Sequence, residues 1–300
     1  MTRVIGITLG NKSVERILDR HQNVLWQKAV VVDDRTYRDS MFHIYADENA
    51  LGIFKVNGAL TNVPELELCE VRKSDYLDPN KDVTIGSILS DDNNWIPLGL
   101  DEDFRITDDT VLYIRNRNSY FSESASKYIS LSVDVNFCTN GDISSLINYG
   151  NIKQYMFCSL FRGSSIITPP TLPAITLAQS CYSNMFYNCT SLTTAPTLPA
   201  TTLASYCYYS MFYRCTSLVT APTLPATTLE SNCYSYMFGN CTSLNYVKAM
   251  FTTTPDTAYT NNWLNNVAVN GTFVKNANAT WNVTGVNGVP SGWTIETVTP

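Results

Sequence analysis

Between about Thr168 and Asn245 the chain repeats itself every 26 residues. The run from Cys181 to Leu192 (Cys-Tyr-Ser-Asn-Met-Phe-Tyr-Asn-Cys-Thr-Ser-Leu) returns as Cys207 through Leu218 and again as Cys233 through Leu244. Ala-Pro-Thr-Leu-Pro-Ala-Thr-Thr-Leu joins the copies at 195–203 and 221–229. A unit this short cannot bury a core alone, so the apolar positions of one copy must stack on their counterparts in the next.

In the middle copy those positions are Cys207, Met211, Phe212, Cys215, Leu218, Ala221, Leu224 and Leu229. Cys207, Met211 and Cys215 are spaced by four, which predicts one face of a short helical segment. Pro222 and Pro225 stop that helix, because each lacks a backbone donor and disfavours helix in the residue before it. Each copy is therefore expected to read helical turn, corner, short strand, corner. A period in this range points to a solenoid of the leucine-rich-repeat type. A degraded first copy is visible in Leu160 to Ile166, followed by Pro170-Thr171-Leu172-Pro173 and Leu177.

The pattern Met-Phe-x-x-Cys-x-Ser-Leu-x-x-Ala-Pro-x-Leu-Pro-Ala resembles the BspA-like leucine-rich repeats of bacterial surface proteins, in the version common in gut Bacteroidales and in the crAss-like and other phages that infect them. The resemblance spans roughly residues 110–300, including Gly141 to Ile147, Gly271 to Lys275 and Val289 to Thr294. Asn23-Val24-Leu25-Trp26-Gln27 also resembles a short motif near the start of some phage structural proteins. The resemblance implies a binding or structural role rather than catalysis.

Charge divides the chain. Residues 151–300 hold Lys153, Arg162, Arg214, Lys248 and Lys275 against Glu230, Asp256 and Glu296, a balance of +2; the total of −6 leaves −8 for the first half. Such a balance offers no electrostatic footprint for nucleic acid or anionic membrane. No apolar run approaches the roughly 20 residues that span a bilayer, so membrane insertion is not expected. The stretch Met1 to Lys12 does not read as a signal peptide. The expected location is therefore the virion, after synthesis in the host cytoplasm.

The first half reads as β-rich, with strands at 3–9, 24–33, around 42–45 and 53–56, and at 66–72, and a short helix over Ser13 to Leu18. The polar stretch from Asp75 to Asn94 reads as turns that close a domain. Strands resume at 111–115 and as one long alternating strand at 128–137. After Asn245 the repeat breaks down, and Trp263, Phe273, Trp281 and Trp293 suggest short strands at the far end. The expected fold is mainly β with short helices: an N-terminal β-rich attachment domain (1–92), a β-sheet linker and cap (93–150), the repeat solenoid (151–247) and a C-terminal cap (248–300).

Nine cysteines, three in each repeat column (Cys181/Cys207/Cys233 and Cys189/Cys215/Cys241) with Cys69, Cys138 and Cys158, do not read as a disulfide framework. They read as small buried hydrophobes, with a bridge between column neighbours as the alternative, since stacking brings those neighbours within the Cα separation a disulfide tolerates. With only His21 and His43, zinc is not expected. Asp101-Glu102-Asp103 with Asp108-Asp109 lacks the order of a calcium loop and reads as a solvated turn. Neither a paired-carboxylate arrangement in the repeats nor a nucleotide or nucleophile fingerprint is present, so no catalytic, cofactor or metal residue is assigned.

Tyrosines are the candidate working residues. Tyr182, Tyr208 and Tyr234 form one column; Tyr187 and Tyr213 form a second that ends at Gly239, with Tyr209 and Tyr236 nearby. Tyrosine brings contact area at low entropy cost and keeps a hydroxyl for hydrogen bonds. The competing reading of the first column is a cover over the helix flank with its hydroxyls in water. The expected function is a non-enzymatic phage fibre or appendage, held to other virion proteins through residues 1–92 and touching a host-surface glycan or protein through the repeats, as a homotrimer or homodimer. A bacterial cell-surface adhesin and a purely architectural capsid decoration are the alternatives.

Overall fold

The computed structural model describes residues 3–9, 12–18, 24–27, 40–47, 51–58, 65–107, 109–117, 122–124, 126–147 and 151–299. The protein is mainly β with a few short helices. Residues 28–33, part of an expected strand, and His21 and Asp108 lie outside the described residues.

Strands β1 (Arg3–Leu9), β2 (Lys12–Leu18) and β3 (Val24–Gln27) form an antiparallel meander, with Leu9 opposite Lys12. The helix expected over Ser13 to Leu18 is thus a strand. The sequence between β1 and β2 is Gly10-Asn11, a two-residue spacer of the kind that closes hairpins, and cross-strand pairing outweighs a single cap signal.

Next come β4 (His43–Ala46), β5 (Gly52–Gly58), β6 (Leu66–Arg72), α1 (Lys73–Leu77), α2 (Asp82–Ser90), β7 (Ile96–Pro97), β8 (Asp103–Ile106), β9 (Thr110–Asn116), β10 (Ser122–Ser124), β11 (Lys127–Val133), β12 (Phe137–Asn140) and a 3-10 turn over Ile143–Ile147. With β13 (Ile166–Thr168) they make two sheets, ordered β13-β12-β4-β9-β6-β7 and β10-β11-β5-β8. The boundary expected at 92/93 falls inside both sheets, since β4 pairs with β9 and β12, and β5 with β8 and β11. Residues on either side of it fold together.

The polar stretch from Asp75 to Asn94 is not a closing linker. It carries α1 and α2, and Ile85 and Leu89 bury against Cys69, Val71, Val111, Tyr113 and Trp95 on the outer face of the larger sheet. Arg115 lies 4.2 Å over the Trp95 ring and joins Glu67 and Asp92 at 2.6 and 2.7 Å. The long strand expected at 128–137 is two strands in different sheets. Asp134 breaks it: its carboxylate accepts from Ile53 N–H at 2.6 Å, and the chain crosses from one sheet to the other over the next two residues.

From residue 155 onward the chain winds in stacked coils. Non-glycine residues with positive φ recur every fourth position: Ser180, Asn184 and Asn188; Tyr206, Ser210 and Arg214; Asn232, Tyr236 and Asn240. Between them the N–H groups divide their work. Cys181, Ser183, Met185 and Tyr187 donate to the carbonyl three residues back, whereas Tyr182, Asn184, Phe186 and Asn188 donate to Cys207, Tyr209, Met211 and Tyr213 in the next coil at 2.7–3.0 Å. This is a ribbon of tight turns and not the helical segment expected. Both conformations bring residues four apart to one face, but only the ribbon leaves half the N–H groups free to bond along the stack.

The ribbon extends beyond the readable repeats. Tyr155 and Ser159 precede it with positive φ and Asn262 and Asn266 follow, so the coil geometry continues where the sequence period has decayed. Strands β14 (Tyr246–Ala249), β15 (Thr272–Asn276) and β16 (Thr294–Val298) then form a parallel sheet, as the far-end tryptophans suggest. At the other end β13 joins β12 in parallel, Phe137 opposite Ile166. One apolar core runs unbroken from Phe42 to Trp293.

The positive-φ positions make a local prediction. Asn188 is exposed at φ 60°. Exposed substitutions usually change stability by less than about 0.5 kcal/mol. Asn188→Val should instead cost about 1–2 kcal/mol, because a β-branched residue is strained there, while Asn188→Gly should cost nothing. Urea midpoints of the two variants check this; equal midpoints would sink it.

Candidate functional site

Each four-residue turn of the ribbon points adjacent side chains inward. Cys181 with Tyr182 and Met185 with Phe186 are fully buried, and the copies at 207/208, 211/212, 233/234 and 237/238 follow suit. A helix would have put the tyrosine on its flank; the turn ribbon puts it in the core. Tyr182, Tyr208 and Tyr234 are 1, 2 and 0 % exposed, so they are not a binding row, nor do they cover a flank with hydroxyls in water. Their rings continue a stack from Phe157, with centroids 6.0 Å apart at each step. Burial pushes all three phenols well above their ordinary pKa.

Beside this stack runs a second one, Phe161–Phe186–Phe212–Phe238, with spacings of 5.5, 5.6 and 5.5 Å. The cysteine columns fill the remaining space as reduced thiols. Cys189, Cys215 and Cys241 donate to the carbonyls of Phe161, Phe186 and Phe212 at 2.9, 3.1 and 2.9 Å. Burial pushes the thiols of Cys181, Cys189, Cys233 and Cys241 up to about 12.

The second tyrosine column does reach the surface. Tyr187 and Tyr213 are half-buried and stack at 5.1 Å with their planes 16° apart. The Arg162 guanidinium caps the outer face of Tyr187 at 4.1 Å. At the other end the column stops at Gly239 for a steric reason. A Cβ there would lie 2.9 Å from Tyr213 Cδ2, so the missing side chain is the seat of the Tyr213 ring. Tyr236 meets Tyr213 at 6.4 Å and Tyr209 at 5.7 Å, both edge-on, and Tyr206 follows at 5.6 Å from Tyr209. Asn261 holds Tyr236 by donating to its hydroxyl at 3.1 Å. Arg214, 5.7 Å from the Tyr213 ring, is the second cation.

The result is a contiguous aromatic surface flanked by arginines. Tyr187 and Tyr213 spend their ring faces on each other, on Arg162 and on Gly239, so this part of the surface offers ring edges, hydroxyls and guanidinium donors. That chemistry suits hydrogen-bond acceptors on a large partner better than face-to-face stacking of a sugar ring. Arg162 and Tyr206 were not legible as members. Arg162 belongs to the degraded first copy, and Tyr206 sits at a position occupied by Ser180 and Asn232 in the neighbouring copies.

Among the described residues no three His, Cys, Asp or Glu side chains converge on a point, and no helix is long and apolar enough to cross a membrane. The acidic cluster is engaged locally: Asp103 pairs with Lys55 at 2.6 Å and Glu102 accepts from Gly99 N–H at 3.2 Å. Set against known proteins, the chain matches no family model, no curated protein and no solved structure.

Proposed function

We propose that this chain is a non-enzymatic attachment protein, a phage fibre or appendage whose stacked coils form a BspA-like leucine-rich-repeat solenoid. The observation that carries the reading is the Tyr–Arg face: Arg162, Tyr187, Tyr213, Tyr236, Tyr209 and Tyr206 joined ring to ring on the outside of a rigid stack. Tyrosine and arginine are the residues that dominate binding energy at interfaces, and a regular scaffold holds them without an ordering cost on binding. The partner is a host-surface protein or polysaccharide presenting carbonyl or anionic acceptors. The phage assignment comes from the repeat resemblance. Attachment to other virion proteins falls to the part of the chain that precedes the coils, whose two sheets join residues from both sides of 92/93, and a homotrimer or homodimer presents the face in several copies.

Adsorption to Bacteroidales host cells tests the face. The double variant Tyr187→Ala/Tyr213→Ala should bind at least about 30-fold more weakly while keeping its fold, since the loss of a hot-spot pair costs about 2 kcal/mol or more. Undiminished binding by the folded variant removes the face from consideration. Immunogold labelling of purified particles with an antibody to residues 171–247 tests the location. Label at a fixed place on virions supports the appendage, and label confined to uninfected cells replaces it with a bacterial adhesin.

A further inference from the structure

We infer that the open edge of β16, with the cleft at its start, is a docking site for an extended peptide segment of a partner protein, one that places an apolar side chain next to a basic one and adds to the sheet as a fourth strand. The site involves none of the residues of the Tyr–Arg face and does not depend on that reading.

β16 is the last strand of its sheet, and among the described residues it pairs with β15 alone. Thr294 N–H donates to the Gly271 carbonyl at 2.8 Å and Ala277 N–H to the Val298 carbonyl at 2.9 Å, so residues 294, 296 and 298 turn their backbone groups toward β15. Strand geometry turns those of Ile295 and Thr297 the other way, where no backbone group of the described residues meets them. Two N–H and two C=O groups at strand spacing are matched by another strand. Proteins usually guard such an edge by short length, proline, charge or a bulge. β7, β8 and β10, which also end sheets, are guarded in these ways: β7 has two residues and ends in Pro97, β8 carries the Asp103–Lys55 pair, and β10 has three residues in a shifted register. β16 has five residues in unbroken register, the first four exposed, with Glu296 as its one charge.

The register of the sheet specifies what the segment carries. β14 lies on β15 with Val247 opposite Phe273 and Lys248 opposite Val274, and β15 lies on β16 with Phe273 opposite Ile295 and Val274 opposite Glu296. A strand laid on β16 in the same register puts one side chain over Ile295 and the next beside Glu296. Ile295 ends the column begun by the buried Val247 and Phe273 and is itself 38 % exposed, so an apolar residue suits the first place. The Glu296 carboxylate selects a lysine or arginine for the second. The residues that lead into the added strand run toward Pro290, Ser291 and Gly292, which with Val267, Val269 and Val286 line a cleft of about 370 Å³. Val269 and Val286 are exposed there and offer a further apolar side chain a place to bury. Main-chain bonds then supply affinity, and the side-chain places supply selectivity.

The probe is a fluorescein-labelled, end-blocked peptide with the sequence of Leu244 to Ala249, Leu-Asn-Tyr-Val-Lys-Ala, which sets its valine over Ile295 and its lysine beside Glu296. Its anisotropy is followed as the full chain is titrated, and binding should saturate with a dissociation constant below about 1 mM. Thr297→Pro removes an N–H that faces the open side and none of the bonds to β15, so the variant should fold and bind at least about tenfold more weakly, the value of one hydrogen bond. N-methylation of the probe's lysine, whose N–H meets the Ile295 carbonyl in this register, should do the same with the protein untouched; N-methylation of its valine, whose N–H faces away, should not. If Thr297→Pro does not fold, the methylated probes decide. No saturation up to about 1 mM, or equal binding by folded Thr297→Pro or by the lysine-methylated probe, would overturn the inference. A dimer of the free chain that Thr297→Pro dissolves would overturn it too, by giving the edge to a second copy. Host adsorption through the Tyr–Arg face is read with different variants, so the two proposals fail separately.

Discussion

Phe212→Ala should cost about 3–5 kcal/mol, more than any exposed substitution in the repeats. Phe212 is fully buried and stands between Phe186 and Phe238 at 5.6 and 5.5 Å, so its removal opens a gap in the middle of the phenylalanine stack. No other element can fill it, because each coil touches only its neighbours. The loss should also weaken cooperativity between the two ends. Trp95 reports on the N-terminal sheets, and Trp263, Trp281 and Trp293 on the far end. Urea unfolding followed by circular dichroism and by tryptophan fluorescence should coincide in the wild type and separate in the variant. A cost under about 1 kcal/mol, or superimposed transitions in the variant, would show that the stack does not hold the coils together.

The second large effect is alkaline unfolding. A thiol whose folded pKa lies above its unfolded value keeps its proton in the fold and loses it in the unfolded chain. Its contribution is complete below the unfolded value and is lost as pH rises toward the folded one. For Cys181, Cys189, Cys233 and Cys241 the window runs from the ordinary value of 9.0 to about 12. At pH 10 each such thiol costs roughly 1 kcal/mol, so the four together remove several kcal/mol. Cys207, Cys215 and the buried tyrosines shift in the same direction. Against a typical stability of about 5–15 kcal/mol, the fold should melt cooperatively a little above pH 10. Melting temperatures measured under a phosphine reductant between pH 7 and 11 check this. A flat profile to pH 11 would refute it, and at pH 8 the folded protein should resist iodoacetamide at all six repeat cysteines.

How much of this was readable from the chain differs by level. The core was readable: Cys207, Met211, Phe212, Cys215, Leu218, Ala221, Leu224 and Leu229 are all buried, because spacing fixes which residues meet whatever the local conformation. The conformation was not, since helix and turn ribbon both bring every fourth residue to one face. The discriminating clue, Asn or Ser at Ser180, Asn184, Asn188, Ser210, Asn232 and Asn240, is interrupted by Tyr206, Arg214 and Tyr236, which do not announce a positive φ. From that one misreading followed the error over Tyr182, Tyr208 and Tyr234. The boundary at 92/93 failed for another reason. Asp, Asn and Ser between Asp75 and Asn94 look like a linker, and only Ile85, Leu89 and Trp95 show that the segment has a core to cover. The extra coil through Asn262 and Asn266 was hidden because its stacking residue is Trp263 in place of a repeat consensus.

The backbone bonds between coils of the turn ribbon all run one way. The N–H groups of Phe157, Tyr182, Tyr208 and Tyr234 point to carbonyls of the following coil and never back. That side of the molecule therefore has an electrical direction, with carbonyl oxygens directed toward its N-terminal end and amide hydrogens toward its C-terminal end, where the Asn287 side chain accepts from Asn262 N–H at 2.8 Å. Aligned peptide dipoles add, as they do along a helix. Two copies meeting end to end about a two-fold axis would set donors against donors or acceptors against acceptors. The aligned dipoles therefore disfavour an end-to-end contact about a two-fold axis relative to side-by-side or head-to-tail packing.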